Sequence, residues 1–298
     1  MTKPTVSIIV LTYNQEDFIE QNLRSIFMQK VDFPIELILS NDNSKDRTDE
    51  VIKAILKDTP AHITVTYTCH QQNLGSTPNF YDALDRVSGK YLAFCEGDDY
   101  WTDENKLQKQ YDFLQENQDY AMCFHQAMNV SPNSTIDQTL FAKVEDREYT
   151  TLEIYQHWVV HTTGVFLKAD VLKTKVYTAM KQHPSLLYFD TILYMSASLI
   201  GKIKGFSATS SAYRRHEAGL SNGINYERDL RHNLLDEVIG SVYGGKIKEF
   251  SNWQIFSRSR LAFNHLKKEG NYALAWDHLK WIFKKKGNLR VYLQKKYL

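Results

Sequence analysis

Hydrophobic positions in the first 120 residues alternate between two periods. VSIIVLTY (6–13) is a nearly continuous apolar run rich in β-branched residues, the pattern of a strand buried on both faces. Phe18, Ile19, Leu23, Ile26 and Phe27 recur at three- and four-residue spacing, which predicts an amphipathic helix. IELILS (35–40) predicts a second buried strand, and Val51, Ile52, Ile55 and Leu56 a second helix face. ITVTYTC (63–69) reads as a third strand. The helix after it is expected to take Thr77 as N-cap and Pro78 at its first position, with Phe80, Leu84 and Val87 as its stripe. KYLAFCE (90–96) is a fourth strand, and Thr102 is placed to cap a helix carrying Leu107, Tyr111 and Leu114. This β-α-β-α-β-α-β-α order requires right-handed crossovers and predicts a parallel sheet.

The second half is less regular. Residues 129–150 are polar and read as a mobile loop; TTGVFLKADVL (162–172) reads as a strand entering a helix. FDTILYMSASLI (189–200) carries a helical stripe, and SATSSAYRRH (207–216) is expected to be a strand ending in charge. From about residue 225 the pattern is helical, basic and aromatic, with Trp253, Trp276 and Trp281. The expected organisation is a domain over 1–222, with halves 1–120 and 121–222, followed by a helical extension over 223–298.

Composition narrows the class. Apolar residues make up 43% and charged residues 24% of 298 positions, ordinary for a soluble globular chain. No run approaches the ~18 apolar residues of a spanning helix, and the N-terminal apolar stretch is too short for a secretory signal. Cys69, Cys95 and Cys123 form no C-x-x-C pair, which fits a reducing compartment, so a cytoplasmic protein is expected. The net charge of +1 conceals an asymmetry: residues 246–298 hold 13 Lys and Arg against Glu249, Glu269 and Asp277, a net +10, leaving −9 for the rest. An acidic body argues against nucleic acid. The basic tail is expected to meet something anionic, such as the inner face of a membrane.

In a doubly wound sheet, ligands bind beyond the carboxyl ends of the strands. The residues there are chemically related: Thr12, Tyr13 and Asn14 after the first strand, Asn41, Asp42, Asn43 and Ser44 after the second, Asn73 after the third, and Glu96, Gly97, Asp98 and Asp99 after the fourth. The carboxylates of EGDDYW (96–101) repel one another unless a cation neutralises them, and oxygen ligands favour Mg²⁺ or Mn²⁺ shared with a diphosphate. Asp42 is suited to accept from a nucleobase N–H or to hold a turn; Thr12, Tyr13 and Asn14 suit a base and ribose, or a helix cap. Arg214 and Arg215 are candidates for the diphosphate, and His216 for the metal shell. His157 and His161 form an H-x-x-x-H pair without a third ligand, a weak zinc signal.

VSIIVLTYNQEDFIEQNLRSIFMQ, ELILSNDNSKDRT, NLGSTPN and GKYLAFCEGDDYW together resemble family 2 of the nucleotide-sugar glycosyltransferases, over roughly residues 5–220. The resemblance implies a GT-A fold, a Rossmann-like, mostly parallel sheet flanked by helices. It implies an inverting, metal-dependent transfer from a nucleoside diphosphate sugar, a UDP-sugar foremost, to a saccharide or lipid-linked saccharide in surface glycan synthesis. Thr12, Asp42 and Asp98 then lie at the nucleoside, and Asp98 or Asp99 at the metal and diphosphate. Glu96 stands where many members carry the first Asp of the D-x-D motif. Asp190 matches the acidic residue that takes the acceptor's proton, preceded here by Phe189 where others have Glu or Gly, and HTTG (161–164) matches the acceptor wall. Two alternatives compete. A nucleotidyltransferase would want a Gly- and Lys/Arg-rich loop where this chain has TYNQEDF; an inactive binding module would not need Asp98, Asp99 and Asp190 together. A dinucleotide-dependent dehydrogenase lacks its G-x-G-x-x-G.

Overall fold

A computed structural model describes residues 4–133, 135–183, 188–216 and 225–289. Two compact units emerge: residues 1–174 with 193–220, and residues 175–192 with 221–298. The segment 175–192 therefore groups with the C-terminal helices, although the sequence places it in the larger domain.

The first unit is built on a mixed sheet. Its first half winds as expected: β1 (Val6–Thr12), α1 (Ile19–Phe27), β2 (Ile35–Asn41), α2 (Thr48–Ile55), β3 (Ile63–Cys69), α3 (Ser76–Leu84), β4 (Tyr91–Phe94). β2, β1 and β4 run parallel in adjacent positions, with β3 parallel on the outer edge of β2. β2 is buried along its whole length and β1 nearly so, because helices cover both faces, whereas edge strand β3 is mostly half-exposed. Ile19, Leu23 and Ile26 of α1 are fully buried and pack in one cluster with Ile8, Val10, Leu37 and Leu39. Each such burial is worth about 1.5–3 kcal/mol relative to exposure.

Beyond β4 the sheet departs from a purely parallel plan. After β5 (Tyr100–Trp101) and α4 (Lys106–Glu116) come β6 (Tyr120–Val130), β7 (Ile136–Leu140), β8 (Glu148–Tyr149), α5 (Thr151–Gln156), β9 (Val165–Lys168), α6 (Lys175–Lys181), α7 (Phe189–Ala197) and β10 (Lys202–Arg214). The strand order is β3-β2-β1-β4-β9-β6-β10-β5, with β9 antiparallel to both β4 and β6. Residues 129–150 are thus not one loop: β7 pairs with β6 and β8 with β10. The strand over 162–172 is only four residues long and leads into a 3₁₀ turn rather than a helix. The last strand begins at Lys202, five residues earlier than its apolar pattern suggests.

Two predicted helix starts also move. α3 begins at Ser76 behind Gly75 (φ 85°), so Pro78 sits in the third position and Thr77 is not the cap. α4 begins at Lys106 behind Asn105, and Thr102 instead donates its N–H to the Ser210 carbonyl.

The second unit holds α8 (Tyr226–Tyr243), α9 (Gly245–Lys268) and α10 (Tyr272–Lys284). The turn between α8 and α9 places Gly244 and Gly245 at φ 66° and 48°, a pair of left-handed residues that a side chain would strain. Its packing is partly polar: Arg258 donates to Asn233 (2.7 Å) and Asp236 (2.9 Å), and Asn233 to Ser259 (2.8 Å).

Candidate active site

The chain winds outward from β1 to β3 and then returns to β4 beside β1. That reversal opens a crevice at the carboxyl ends of β1 and β4, where doubly wound sheets bind ligands. The β4 ladder continues past its end, with Cys95 N–H donating to Ile9 O (3.1 Å) and Gly97 N–H to Leu11 O (2.9 Å). Gly97 is required there: a Cβ would meet Thr12 Cβ at 2.9 Å and collide with Gln15. The Asp99 N–H closes the acidic turn onto Glu96 O at 2.8 Å.

Thr12 and Asp42 flank this turn. Both are buried, and among the described residues the Thr12 hydroxyl has no partner. Asp42 is gripped by the loop after β3: Leu74 N–H donates to Oδ1 at 2.7 Å and Gly75 N–H to Oδ2 at 2.9 Å. Each oxygen retains acceptor capacity. The same Gly75 N–H also reaches Asn73 Oδ1 at 2.9 Å, and the Asn73 side chain is exposed. Tyr13 is 44% exposed, an aromatic face open at the rim. Asn14, in the left-handed region at φ 53°, receives the Lys45 N–H on Oδ1 (2.8 Å) and donates its own N–H to Ser44 Oγ (2.9 Å), tying the loops after β1 and β2 together. It does not cap α1, whose N-cap residue is Phe18.

The carboxylates of the turn divide in environment. Asp98 is partly open, with His216 Nε2 2.8 Å from its Oδ2. That hydrogen bond raises the imidazole's pKa. Among the described residues no donor reaches Asp98 Oδ1. Asp99 is buried. Its Oδ1 accepts the Arg214 N–H (2.9 Å) and its Oδ2 lies 3.9 Å from His161 Nε2. Burial, then the charges of Asp98 and Glu96, push its carboxyl well above the usual range. His161 is packed against Phe141 and Tyr213, and burial pulls it down to about 4. His157 is exposed, so the H-x-x-x-H pair diverges.

The two arginines differ. Arg215 is exposed. The Arg214 guanidinium is committed to protein carbonyls: Nε to Asp98 O (2.7 Å), Nη1 to Pro132 O (2.6 Å) and Ser131 O (3.4 Å), and Nη2 to Gln21 Oε1 (2.6 Å). It also stacks 4.6 Å over Phe18 and 5.4 Å from Tyr100. Its position locks the acidic turn to α1 and β10.

Several supporting residues escape the sequence reading. Asn22, buried on the apolar face of α1, points its amide at Glu96 O (2.7 Å) and Asp99 O (2.9 Å), so the helix itself holds the turn. Its presence inside the Ile19–Leu23–Ile26 stripe was the available signal. Behind the turn, Trp101 Nε1 donates to Thr163 O (2.9 Å) and Gln110 Nε2 to Gly164 O (2.9 Å), fixing the HTTG segment. Asp190 lies in the second unit, in the first turn of α7; burial raises its carboxyl above the ordinary value.

A mostly parallel sheet flanked by helices, with hydroxyl and carboxylate side chains gathered at its strand ends, is the architecture of the GT-A fold. The match to the family model Glycosyl transferase family 2 spans residues 7–174, more than half of the chain, and the chain belongs to that family. An uncharacterized protein of Mycobacterium tuberculosis is 28% identical over 82% of this chain and 70% of its own length. The putative teichuronic acid biosynthesis glycosyltransferase TuaG of Bacillus subtilis is 35% identical over 38% of this chain and 43% of its own. Among solved structures, S. aureus TarS in complex with UDP-GlcNAc superposes with a TM-score of 0.63 at 19% identity, covering 88% of this chain and 73% of that one. The protein is accordingly a glycosyltransferase. Among the described residues no helix is long and apolar enough to cross a membrane.

Proposed function

We propose that the protein carries out an inverting, metal-dependent transfer of a sugar from a UDP-sugar to a saccharide or lipid-linked saccharide of a cell-surface glycan. One observation carries the reading. The Thr12 hydroxyl, without a partner among the described residues, the doubly held Asp42 and the Asp98–His216 pair follow the carboxyl ends of β1, β2, β4 and β10, and we take them to face one donor. Asp42 supplies an acceptor for a base N–H; Thr12, Tyr13, Asn14 and Asn73 surround a base and ribose. The relatives give the direction of the rest: TarS is described with UDP-GlcNAc, and TuaG is named for teichuronic acid synthesis.

Among the described residues no set of three or more His, Cys, Asp or Glu is arranged around one metal position. Asp98 and His216 fit a partial shell, completed by phosphate and water oxygens, and an oxygen–nitrogen set suits Mn²⁺ at least as well as Mg²⁺. Such a cation would stabilise the negative charge gathering on the departing diphosphate. Asp99, buried and already accepting the Arg214 N–H, is better suited to tie the turn to β10 than to ligate. Arg215, exposed beside His216, is the more available cation for the diphosphate; Arg214 shapes the turn. The resemblance assigns the acceptor's proton to Asp190, and a carboxyl whose pKa is raised by burial is a better base near neutrality than an ordinary one.

The test is nucleoside diphosphate release from UDP-, GDP- and dTDP-sugars with Mg²⁺, Mn²⁺ or EDTA. UDP release that EDTA abolishes is expected; EDTA-resistant turnover would remove the metal from the mechanism. Asp190→Asn should abolish transfer and leave UDP binding nearly intact, whereas weakened UDP binding would give Asp190 a structural role.

A further inference from the structure

Helix α10 presents two unlike sides. One is locked into the second unit: Ala275 and His278 are buried, His278 Nε2 lies 3.0 Å from Tyr226 O, and Lys285 just past the helix end reaches Asn252 Oδ1 at 2.6 Å. The other side carries Tyr272, Trp276 and Phe283, exposed by 69%, 60% and 64%. At about 100° per residue these three rings fall within about 40° of one another, so they form a single stripe. Lys280 and Lys284 flank the stripe, and Lys286 follows the helix end. Asp277 and Glu237 pair with Lys280 and Lys284 at 2.8 Å and 3.0 Å, which offsets part of the charge. The net +10 of residues 246–298 keeps the region strongly positive.

Three large aromatic side chains aligned in water normally cover something. A partner for this face must accept aromatic rings and attract lysines together. An anionic lipid surface does both: indole and phenol rings settle at the headgroup level, and lysine stems lie along apolar surface with their ammonium groups at the phosphates. Pairing α10 with the same face of a second copy would bring lysines against lysines.

We propose that the Tyr272–Trp276–Phe283 face of α10, with Lys280, Lys284 and Lys286, docks the protein peripherally on an anionic membrane surface. The docking is independent of the sugar-transfer reading, and its test needs no turnover. The full chain is sedimented with vesicles of pure phosphatidylcholine and of phosphatidylcholine with phosphatidylglycerol. Binding to the anionic vesicles alone, weakened by added salt, is expected. The doubly substituted variant Trp276→Ala/Phe283→Ala should bind at least about tenfold more weakly, and Lys286→Gln about fivefold more weakly. Thermal melts serve as the folding control, because the substituted side chains are exposed and the melting temperature should hold. The proposal is overturned if the wild type ignores anionic vesicles, if it binds both vesicle types equally, or if the aromatic variant binds as the wild type does. It is overturned equally if that variant only converts a dimer to a monomer in light scattering.

Discussion

Lys106 has no exposed surface, and among the described residues no carboxylate pairs with its ammonium group. Its Nζ donates to Gln110 Oε1 at 2.7 Å and sits 4.4 Å above the Trp101 ring, and the titratable groups around it are Cys95, Cys123, Asp103 and His125. Burial pulls its pKa from 10.5 to about 8. The unfolded chain therefore holds this proton more tightly than the folded one, so Lys106 makes stability rise as pH climbs from about 8 toward 10.5. At about 1.36 kcal/mol per pKa unit, the charge costs the fold about 3 kcal/mol at pH 7 and less than about 1 kcal/mol at pH 10. Lys106→Met keeps the chain length and removes the charge, at the expense of leaving Gln110 Oε1 without a donor, worth about 1–3 kcal/mol. The two effects nearly offset at pH 7. The informative quantity is then the stability of Lys106→Met minus that of the wild type, measured by urea unfolding at pH 7, 8, 9 and 10. It should fall by about 2–3 kcal/mol across that range, because only the wild type gains on deprotonation. A difference that stays constant, or grows in favour of methionine, would refute the buried-charge argument.

Other substitutions separate holding from binding. Arg214→Lys cannot reproduce a fork that serves Asp98 O, Pro132 O and Gln21 together; about 3 kcal/mol of stability and at least about tenfold of kcat/KM should be lost, read by urea melts and UDP release. Thr12→Val removes a hydroxyl that has no protein partner, so stability should stay within about 1 kcal/mol while UDP affinity drops in calorimetry. Gly97→Ala drives a methyl group into Thr12 and Gln15 and should cost about 1–3 kcal/mol together with UDP affinity. Equal UDP affinity in either variant would move the nucleoside away from β1.

The readable parts of the fold are those in which local pattern and tertiary environment agree. β1 and β2 are covered on both faces, and their unbroken apolar runs say so. β6 is almost as buried, yet it carries His125, Gln126 and Asn129 inside, so its pattern resembles no simple strand. Gln126 shows why burial is tolerable there: its amide is satisfied by Ser207 O and by the Val144 N–H (3.0 Å), from 81 and 18 residues away. β7 was hidden for the opposite reason, because it pairs only with β6 off the main strand order and keeps a polar sequence.

The same logic governs the site. Residue types alone placed Thr12, Asp42 and Asp98 at one edge, because strand ends are countable. The start of α3 moved because Asp42, more than thirty residues upstream, draws in the N–H groups of Leu74 and Gly75. That long-range pull outweighs the preference of Thr77 and Pro78 for a helix start, and a β-carbon at position 75 would resist the φ of 85° it imposes. Arg214 makes the point more sharply. A cation two residues before His216 invites a phosphate, yet its fork fits four carbonyl oxygens, and the farthest, on Gln21, is 193 residues away in the chain. Charge is a local property of a sequence; whether a charge faces a ligand or the backbone depends on what the remote segments offer it. Here the carbonyls of the turn are held by the Asn22 amide and by Arg214, while the Asp98 carboxylate is engaged through Oδ2 with His216.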